Sequence, residues 1–412
     1  MPKIPLLKSE KDKPVTQDKI RIALCYIDEY WTSLRRSVKN DSGTLIGLPH
    51  DYLVPATRSG SGFHFEEQYY WDSYFMAIGL RDPKYNQLAE GMLDNLIHQY
   101  KRFGLIPNAS RMYMLSRSQP PLLTTYIFHI YDTQSKDISW LREHMEIAQS
   151  EYFNVWMSAE HPTWHKVYGQ LSRYYDINLL HDLAEAESGW DMTPRFERKC
   201  LDFLPVDLNS LLYKYETDFA RYSGIIGDSV QTAHWLAQAD ERQKQINKIM
   251  WAPVRGFFFD YNYETNEQSS VWSLAAYYTM WTGLASRDQA KKLVQNLRKF
   301  EKKGGLTTTA KPLIDMSLLF GSLKVQWAYP NGWAPLHFIV IEGLRRYGYH
   351  KDAERIATKW MQTNVNWFQK HGEFLEKYNV VNPDKPPLSG VYPSQRGFGW
   401  TNGVFAYLAK DF

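Results

Sequence analysis

The sequence contains little cysteine, carries no marked excess of charge of either sign, and has no long apolar run. Its 412 residues include two cysteines, Cys25 and Cys200, too few for a disulfide framework or a cysteine metal motif. The formal net charge is +3 without a long basic block, which argues against a nucleic acid as a partner. No apolar run reaches the ~18 residues that a membrane span needs, so no membrane partner is expected.

The beginning of the chain also lacks a targeting signal. Met1 to Lys8 has no apolar core of the kind found in signal peptides, which predicts a cytoplasmic location. Residues 1–15 are predicted to form a loose arm, and 16–412 a single domain, because no linker or shift in composition interrupts them. The twelve histidines show no spacing typical of a metal site, so we predict no metal and no other cofactor.

Aromatic residues are abundant instead. The chain has 15 Trp, 28 Tyr and 20 Phe, together 15% of its residues. Flat aromatic faces line many carbohydrate sites, where they stack against sugar rings. They also fill the cores of helical proteins, and composition alone leaves these two interpretations equally open.

Hydrophobic periodicity predicts an all-α chain of about twelve helices. An even number of helices with functional-looking loops on alternate connections favours an (α/α)6 barrel, with a small β-hairpin and long loops at the active-site end. A helical solenoid is the rival, although no residue pattern recurs at a fixed period. Cys25 is expected in the apolar stripe of the first helix, and Asp207 as the N-cap of a helix that restarts after Pro205. The predicted helices are 17–39, 85–103, 122–131, 138–157, 201–224, 229–250, 271–281, 287–300, 336–347, 353–367 and 402–409, with a short helix after residue 75 and the hairpin at 256–263.

Asp191 is the first candidate for chemistry. It directly follows Gly189 and Trp190 and precedes a Thr-Pro-Arg turn. The glycine allows close approach of the backbone to a ligand, and an indole wall raises the pKa of a neighbouring carboxyl towards that of a proton donor. An aspartate in a loop before proline is also a common helix cap.

A glycosidase acid needs a second carboxylate, and Glu376 is the best candidate. Its neighbours Lys377 and Tyr378 favour the charged form, which is the form that activates a water molecule. The alternative is a glutamate at a helix exit that simply pairs with the lysine.

Several stretches together resemble the trehalase family of glycoside hydrolases. They keep the family's order from about residue 52 to the C-terminus. The three main stretches are Tyr69 to Tyr74, Gln326 to Pro335 and Gly397 to Gly403, supported by Ile106 to Asn108, Ser116 to Pro121, Ser188 to Asp191, Pro205 to Asn209 and Glu376 to Tyr378.

The resemblance implies an (α/α)6 barrel that hydrolyses a glucoside with inversion at the anomeric carbon. Asp191 matches the family's general acid and Glu376 its general base, and such a pair stands ~6.5–9.5 Å apart to admit the attacking water. The small carbohydrate would be bound by positions that match family contacts on the glycone side and by neighbouring aromatic positions: Phe65, Tyr69, Trp71, Asp72, Asn108, Arg117, Gln119, Gly189, Trp190 and Trp327.

The sequence departs from the family where the leaving-group sugar is bound. His64 stands in place of a sugar-binding arginine, and Ala328 in place of an aspartate of the second signature. The stretch from Tyr174 to Glu187 lacks the family's Arg-Pro-Glu segment, and the lid glutamate is Val391. Each hydrogen bond lost from a sugar hydroxyl costs ~0.5–1.5 kcal/mol, so trehalose binding is expected to weaken unless His64 or Arg396 replaces the lost donors.

The sequence therefore predicts an inverting hydrolase of an α-glucoside, either trehalose or a related small glucoside. One alternative is a glucosidase for a smaller aglycone, such as a glycosylglycerate. Another is a non-catalytic sugar-binding relic, against which both carboxylates remain in place. An epimerase or lyase on a similar barrel is disfavoured, because those reactions usually rely on His or Tyr bases and the histidines form no convincing pair.

Overall fold

The computed structural model describes residues 15–57, 65–312, 325–390 and 392–412. Residues 1–14 of the predicted arm, His64 and Val391 lie outside these ranges, and the predicted domain limits stay a prediction. The α-helices are α1 (Gln17–Leu34), α2 (Tyr70–Ala77), α3 (Asn86–Phe103), α4 (Leu123–Gln134), α5 (Ile138–Glu151), α6 (His181–Glu187), α7 (Val206–Ile225), α8 (Ser229–Ile249), α9 (Tyr278–Trp281), α10 (Arg287–Asn296), α11 (Ala334–Arg346), α12 (His350–His371) and α13 (Gly399–Leu408).

Among the described residues, α2, α4, α7, α9, α11 and α13 form an inner ring. All eight residues of α2 and all four of α9 are buried, as expected for helices surrounded by protein on every side. Along the ring α2 packs on α13, α13 on α11, α11 on α9, α9 on α7 and α7 on α4. The rings of Tyr74 in α2 and Tyr126 in α4, 6.1 Å apart, bring the two remaining neighbours together.

The other long helices form an outer layer. In α8 the buried residues are Trp235, Ala239, Arg242 and Ile246, a single stripe that faces the ring. Helices α1, α3, α5, α8 and α12 pack against inner helices, and α10 is tied to the ring where the Tyr277 hydroxyl donates to the carbonyl of Leu293 at 2.9 Å. The predicted all-α (α/α)6 barrel is confirmed, and the return of α13 to α2 excludes an open solenoid.

The strands are short, antiparallel and confined to connections. The pairs are β1 (Arg35–Arg36) with β2 (Tyr52–Leu53), β3 (Lys166–Tyr168) with β4 (Leu171–Ser172), β6 (Trp251–Ala252) with β7 (Phe257–Phe258), β10 (Glu301–Lys302) with β11 (Gly305–Leu306), and β12 (Asn331–Trp333) with β13 (Lys377–Asn379). One sheet has three strands, with β8 (Tyr261–Asn262) between β5 (Phe203–Leu204) and β9 (Glu267–Gln268). No described helix has the length and apolarity needed to cross a membrane.

Several local predictions were wrong in ways that side-chain contacts explain. Residues 256–263 do not pair with each other; β7 pairs back to β6 and β8 pairs with β5 and β9. Helix α1 ends at Leu34 because the next two residues join β2. Asp207 lies inside α7, which begins after Pro205, and its carboxylate binds Arg195 at 2.7 and 2.8 Å. Cys25 is exposed, outside the buried stripe of α1.

Two features of this fold place residues around one pocket. Arg195, fully buried, binds Asp207 of α7 and Asp260, which fixes the loop that follows Asp191. Strand β13 pairs with β12 in the register Trp333 to Lys377, and this pairing fixes the chain directly after Glu376.

Candidate active site

A cavity of about 200 Å³ brings together every predicted site residue except Trp190 and Trp327. Its walls come from α2, the loop between α3 and α4, the loop after α6, and the segments before α13. The lining residues are Pro55, Phe65, Tyr69, Trp71, Asp72, Asn108, Met114, Arg117, Gln119, Ala186, Gly189, Asp191, Glu376, Tyr392, Phe398 and Trp400.

Trp190 and Trp327 lie behind the wall of the cavity. Both are buried, and their rings stack with centroids 5.5 Å apart. Trp327 also stacks on Trp333 at 3.7 Å. The structure places neither residue in the lining of the cavity, and their predicted role in substrate binding stays a prediction.

The loop that carries Asp191 turns sharply after α6. Gly189 has a φ of 70°, and a Cβ there would stand 2.7 Å from the Trp71 indole. Only glycine combines this backbone conformation with so close a neighbour. Met192, on the other side of Asp191, also has a positive φ, 64°. The turn projects the Asp191 side chain into the cavity.

Asp191 keeps part of its surface open to the cavity and is otherwise surrounded by protein atoms. Burial, and next the negative charge of Glu376, raise its pKa from 3.8 to about 6, while Lys377 opposes the rise. Gln326 Nε2 lies 3.1 Å from Asp191 Oδ2. A carboxyl group in this environment can carry a proton near neutral pH.

Glu376 is held by several donors at once. It lies beyond the end of α12, directly before β13. Its Oε2 accepts from Lys377 Nζ at 2.7 Å and from the Gln395 backbone N–H at 3.3 Å, and its Oε1 accepts from the Tyr392 hydroxyl at 3.1 Å. The side chains of Lys377 and Glu376 are 0% and 2% exposed, so this is a buried ion pair rather than a solvated helix exit.

Hydrogen-bonded contacts connect the two carboxylates. Gln326 Nε2 lies 3.1 Å from Asp191 Oδ2 and 3.0 Å from the Tyr392 hydroxyl, which lies 3.1 Å from Glu376 Oε1. The distance between Asp191 Oδ2 and Glu376 Oε1 therefore cannot exceed about 9 Å, a limit that admits the ~6.5–9.5 Å of an inverting pair.

The opposite wall carries polar groups that suit a sugar. Burial, and next the repulsion of Glu376 and Asp191, raise the pKa of Asp72 well above its usual range, so that its carboxyl can donate a hydrogen bond. Arg117 Nη1 binds the buried Asp176 at 3.3 Å, and Arg117 Nε is buried with no hydrogen-bond partner among the described residues. Gln119 Oε1 accepts from the Trp71 backbone N–H at 3.0 Å.

Glu187 fastens the loops behind this wall. It is fully buried at the end of α6 and accepts from the backbone N–H groups of Ser118 at 2.8 Å and Tyr175 at 2.6 Å. His165 Nε2 lies 3.1 Å from it. Asn108 Nδ2 adds a second tie between these loops and α6 through the carbonyls of Ser118 and Ala186.

Sequence reasoning missed several residues of the site. Tyr392, Phe398 and Trp400 line the cavity, and all three fall in stretches compared with the family, so position within those stretches was the available signal. Pro55 and Met114 gave no signal. Arg396, expected as a replacement donor, is 68% exposed and binds Glu373 at 2.8 Å rather than lining the cavity. Among the described residues, no cluster of His, Cys, Asp and Glu could hold a metal ion.

Comparison with known proteins shows the family to which the chain belongs. A family model described as trehalase matches residues 7–179 and 169–412. The cytosolic neutral trehalase of Kluyveromyces lactis is 33% identical, over 88% of this chain and 56% of that protein. A probable trehalase of Eremothecium gossypii is 32% identical, over 88% and 57%. The chain spans a little over half the length of these relatives.

Solved structures show the same architecture. The neutral trehalase of Saccharomyces cerevisiae superposes with a TM-score of 0.80 at 26% identity, over 95% of this chain and 94% of that one. A mannosylglycerate hydrolase of Thermus thermophilus, solved with glucose, superposes with a TM-score of 0.68 at 16% identity, over 93% and 99%. At that identity the second likeness concerns the fold alone.

Proposed function

Since the chain belongs to the trehalase family, we propose that it is a glycosidase that hydrolyses a small α-glucoside with inversion, with trehalose as the first candidate. The observation that carries the proposal is the pair of carboxyl groups in opposite electrostatic settings across one cavity. Asp191 is disposed to hold a proton, and Glu376 is ion-paired with a buried lysine. Because one relative is named as cytosolic, we place the reaction in the cytoplasm.

In the proposed reaction Asp191 gives its proton to the glycosidic oxygen as that oxygen leaves the anomeric carbon. Glu376 accepts a proton from a water molecule, whose oxygen attacks the same carbon from the opposite face. One bond to the anomeric carbon breaks and one forms, so the released glucose has the inverted configuration. The two proton transfers leave Asp191 ionised and Glu376 protonated, and solvent restores both.

The wall around Asp72 and Arg117 is the proposed glucose subsite. The Asp72 carboxyl, when protonated, and Arg117 Nε, which has no hydrogen-bond partner among the described residues, can donate to sugar hydroxyls. Phe65 and Tyr69, with ring centroids 5.9 Å apart, provide aromatic surface for the sugar's C–H groups.

A specific observation favours a second candidate, a glucoside with an aglycone smaller than glucose. The cavity of about 200 Å³ is below the ~300–1,000 Å³ of most ligand pockets. Met114 lines it, and the described stretch from Tyr174 to Glu187 supplies no arginine. A glucosylglycerate would need less room and fewer polar contacts than the second ring of trehalose.

A substrate panel tests the proposal. Trehalose, glucosylglycerate, maltose and p-nitrophenyl α-glucoside are offered to the purified protein, and proton NMR follows the anomer released first. We expect turnover of at least one α-glucoside and first release of β-glucose. Release of α-glucose would refute the single displacement, and sugar binding without any turnover would identify a relic. Efficient turnover of trehalose alone would reject the small-aglycone candidate.

A further inference from the structure

The hydrogen-bonded contacts between the two carboxylates have a defined direction from donor to acceptor. The Gln326 amide nitrogen carries two hydrogens, and its neighbours at hydrogen-bond distance include Asp191 Oδ2 and the Tyr392 hydroxyl. When the hydroxyl accepts from Gln326, it donates its own hydrogen to Glu376 Oε1. Asp191 thus accepts a hydrogen bond from the Gln326 amide. Glu376 accepts one from the Tyr392 hydroxyl, which is itself bonded to the same amide.

This direction determines which carboxyl oxygens take part in proton transfer. An oxygen that accepts from an amide N–H is not the one that carries the acid proton. The proton of Asp191 therefore lies on Oδ1. In Glu376, Oε2 already accepts from Lys377 and the Gln395 backbone, whereas Oε1 accepts from Tyr392 alone among the contacts described. Oε1 is then the oxygen with capacity for the proton of a water molecule.

The surrounding structure holds both members of the chain in place. The Asn331 amide donates to the carbonyls of Gln326 at 3.0 Å and Leu388 at 2.9 Å, and its oxygen accepts from the Leu388 N–H. Beyond Tyr392, the backbones of Glu376 and Gln395 are joined at 3.0 Å. Hydrogen bonds at Leu388 and at Gln395 therefore hold the protein chain on either side of Tyr392.

We propose that Gln326 and Tyr392 are positioning residues that orient the acid and the base and set the protonation of each, an inference that rests on the proposed function. Gln326 acts on Asp191, and Tyr392 acts on Glu376. Among the described residues, the other charged groups around this pair include Asp72, Arg117, Glu185 and Lys377. They are unchanged in the variants below, so a change in pH dependence reports on the two hydrogen bonds.

Two variants separate the roles. Tyr392→Phe removes the hydroxyl that donates to Glu376, and Gln326→Met removes the amide at nearly constant volume. Tyr174→Phe is the matched control, because the Tyr174 hydroxyl is buried with no hydrogen-bond partner among the described residues. The probes are trehalose and p-nitrophenyl α-glucoside, whose nitrophenolate leaves with little need of protonation.

We expect each variant to lower kcat about 10- to 100-fold with less than about a threefold change in KM, the loss typical of one hydrogen bond to a charged group. In Tyr392→Phe the charged form of Glu376 loses a donor, so the acidic limb of the pH profile moves to higher pH. In Gln326→Met the alkaline limb moves up instead, since ionised Asp191 loses its donor. The Gln326→Met defect is also smaller on p-nitrophenyl α-glucoside than on trehalose, whereas the Tyr392→Phe defect is the same on both.

The proposal is overturned if both limbs stay in place, or if Tyr174→Phe moves them as far as the two variants do. A second measurement needs no substrate. The infrared band of the protonated Asp191 carboxyl, identified by its loss in Asp191→Asn, is titrated in the free protein. Its midpoint should rise in Gln326→Met and stay unchanged in Tyr174→Phe. If no glucoside of the panel is turned over, the proposed function fails, and this titration alone then supports or overturns the role of Gln326.

Discussion

Replacing Lys377 with methionine removes the ammonium group that faces Glu376 and leaves a side chain of similar length. The Lys377 Nζ lies 2.7 Å from Glu376 Oε2, with both side chains almost fully buried. It also lies 4.8 Å from the centre of the Trp333 ring. Water therefore has no room to replace the lost charge without rearrangement of the pocket.

The size of the effect follows from this geometry. At 2.7 Å and an effective dielectric constant near 20, the attraction between unit charges is about 6 kcal/mol. Much of this offsets the loss of hydration, and breaking a buried pair from one side typically costs about 3–5 kcal/mol. Glu376 is 1% exposed, so without its charged partner burial would push it towards its protonated form. A protonated base cannot accept a proton from water, and kcat should fall by about 100-fold or more.

Urea unfolding at pH 5 and pH 8 tests the predicted loss of stability, and steady-state kinetics tests the predicted loss of kcat. At pH 8 the variant should lose about 3 kcal/mol of unfolding free energy, the lower end of the range for a buried pair. At pH 5 the loss should be smaller, because the unpaired carboxyl can take up a proton when the pH is low. Lys244→Met, which breaks the exposed pair with Asp240, should change neither quantity.

Two results would refute this reasoning. One is a Lys377→Met protein with normal kcat, which would mean that Glu376 does not need a charged partner to act as base. The other is a stability loss equal at pH 5 and pH 8, which would mean that methionine fails through packing rather than through the orphaned charge.

The remaining predictions concern the proposed acid, the proposed base and the sugar wall. Asp191→Asn should abolish hydrolysis while calorimetry still detects glucose binding, and Glu376→Gln should be nearly inactive; near-normal rates in either would remove that residue from its role. Because the pKa of Asp191 is raised to about 6, kcat/KM should fall above about pH 6. Between about pH 4 and 6 the folded protein holds this proton more tightly than the unfolded chain does, so Asp191→Asn should be about 1–3 kcal/mol more stable than wild type at pH 8 and equal to it at pH 4 in urea unfolding. Asp176→Asn should raise KM about 5- to 30-fold with kcat nearly unchanged, because Arg117 loses the buried partner that orients it; an unchanged KM would contradict this.

The helices could be predicted from apolar periodicity, which is a local pattern. Most of the pocket residues were instead implied by the resemblance to the trehalase family, over short stretches around Trp71, Arg117 and Asp191 that the fold brings into one cavity. The burial of Trp190 outside the cavity could not be predicted in the same way. Its type and its position beside Asp191 are compatible with a lining role, but the positive φ of Gly189 turns it into the core.

Other features depend on contacts between distant parts of the chain. Asp207 looks like a helix cap until Arg195 is seen to bind it from twelve positions earlier. The hydroxyl of Tyr392 reaches Glu376 across sixteen positions of the sequence, and no periodicity predicts such a contact. Cys25 fits an apolar stripe by spacing, yet a neighbouring position of α1, Ile22, is itself 50% exposed, so the buried face is narrower than the pattern indicates.

The same contacts show how leaving-group specificity can change without moving the chemistry. The chain on either side of Tyr392, where the sequence is expected to depart from the family, is held through backbone atoms of Leu388 and Gln395. Backbone hydrogen bonds do not depend on which side chains the segment carries. Substitutions there can alter the room for an aglycone while the Tyr392 hydroxyl stays against Glu376. The proposed acid and base are therefore held by one set of atoms and the proposed leaving-group space is shaped by another, so altered specificity and retained hydrolysis would be compatible in this chain.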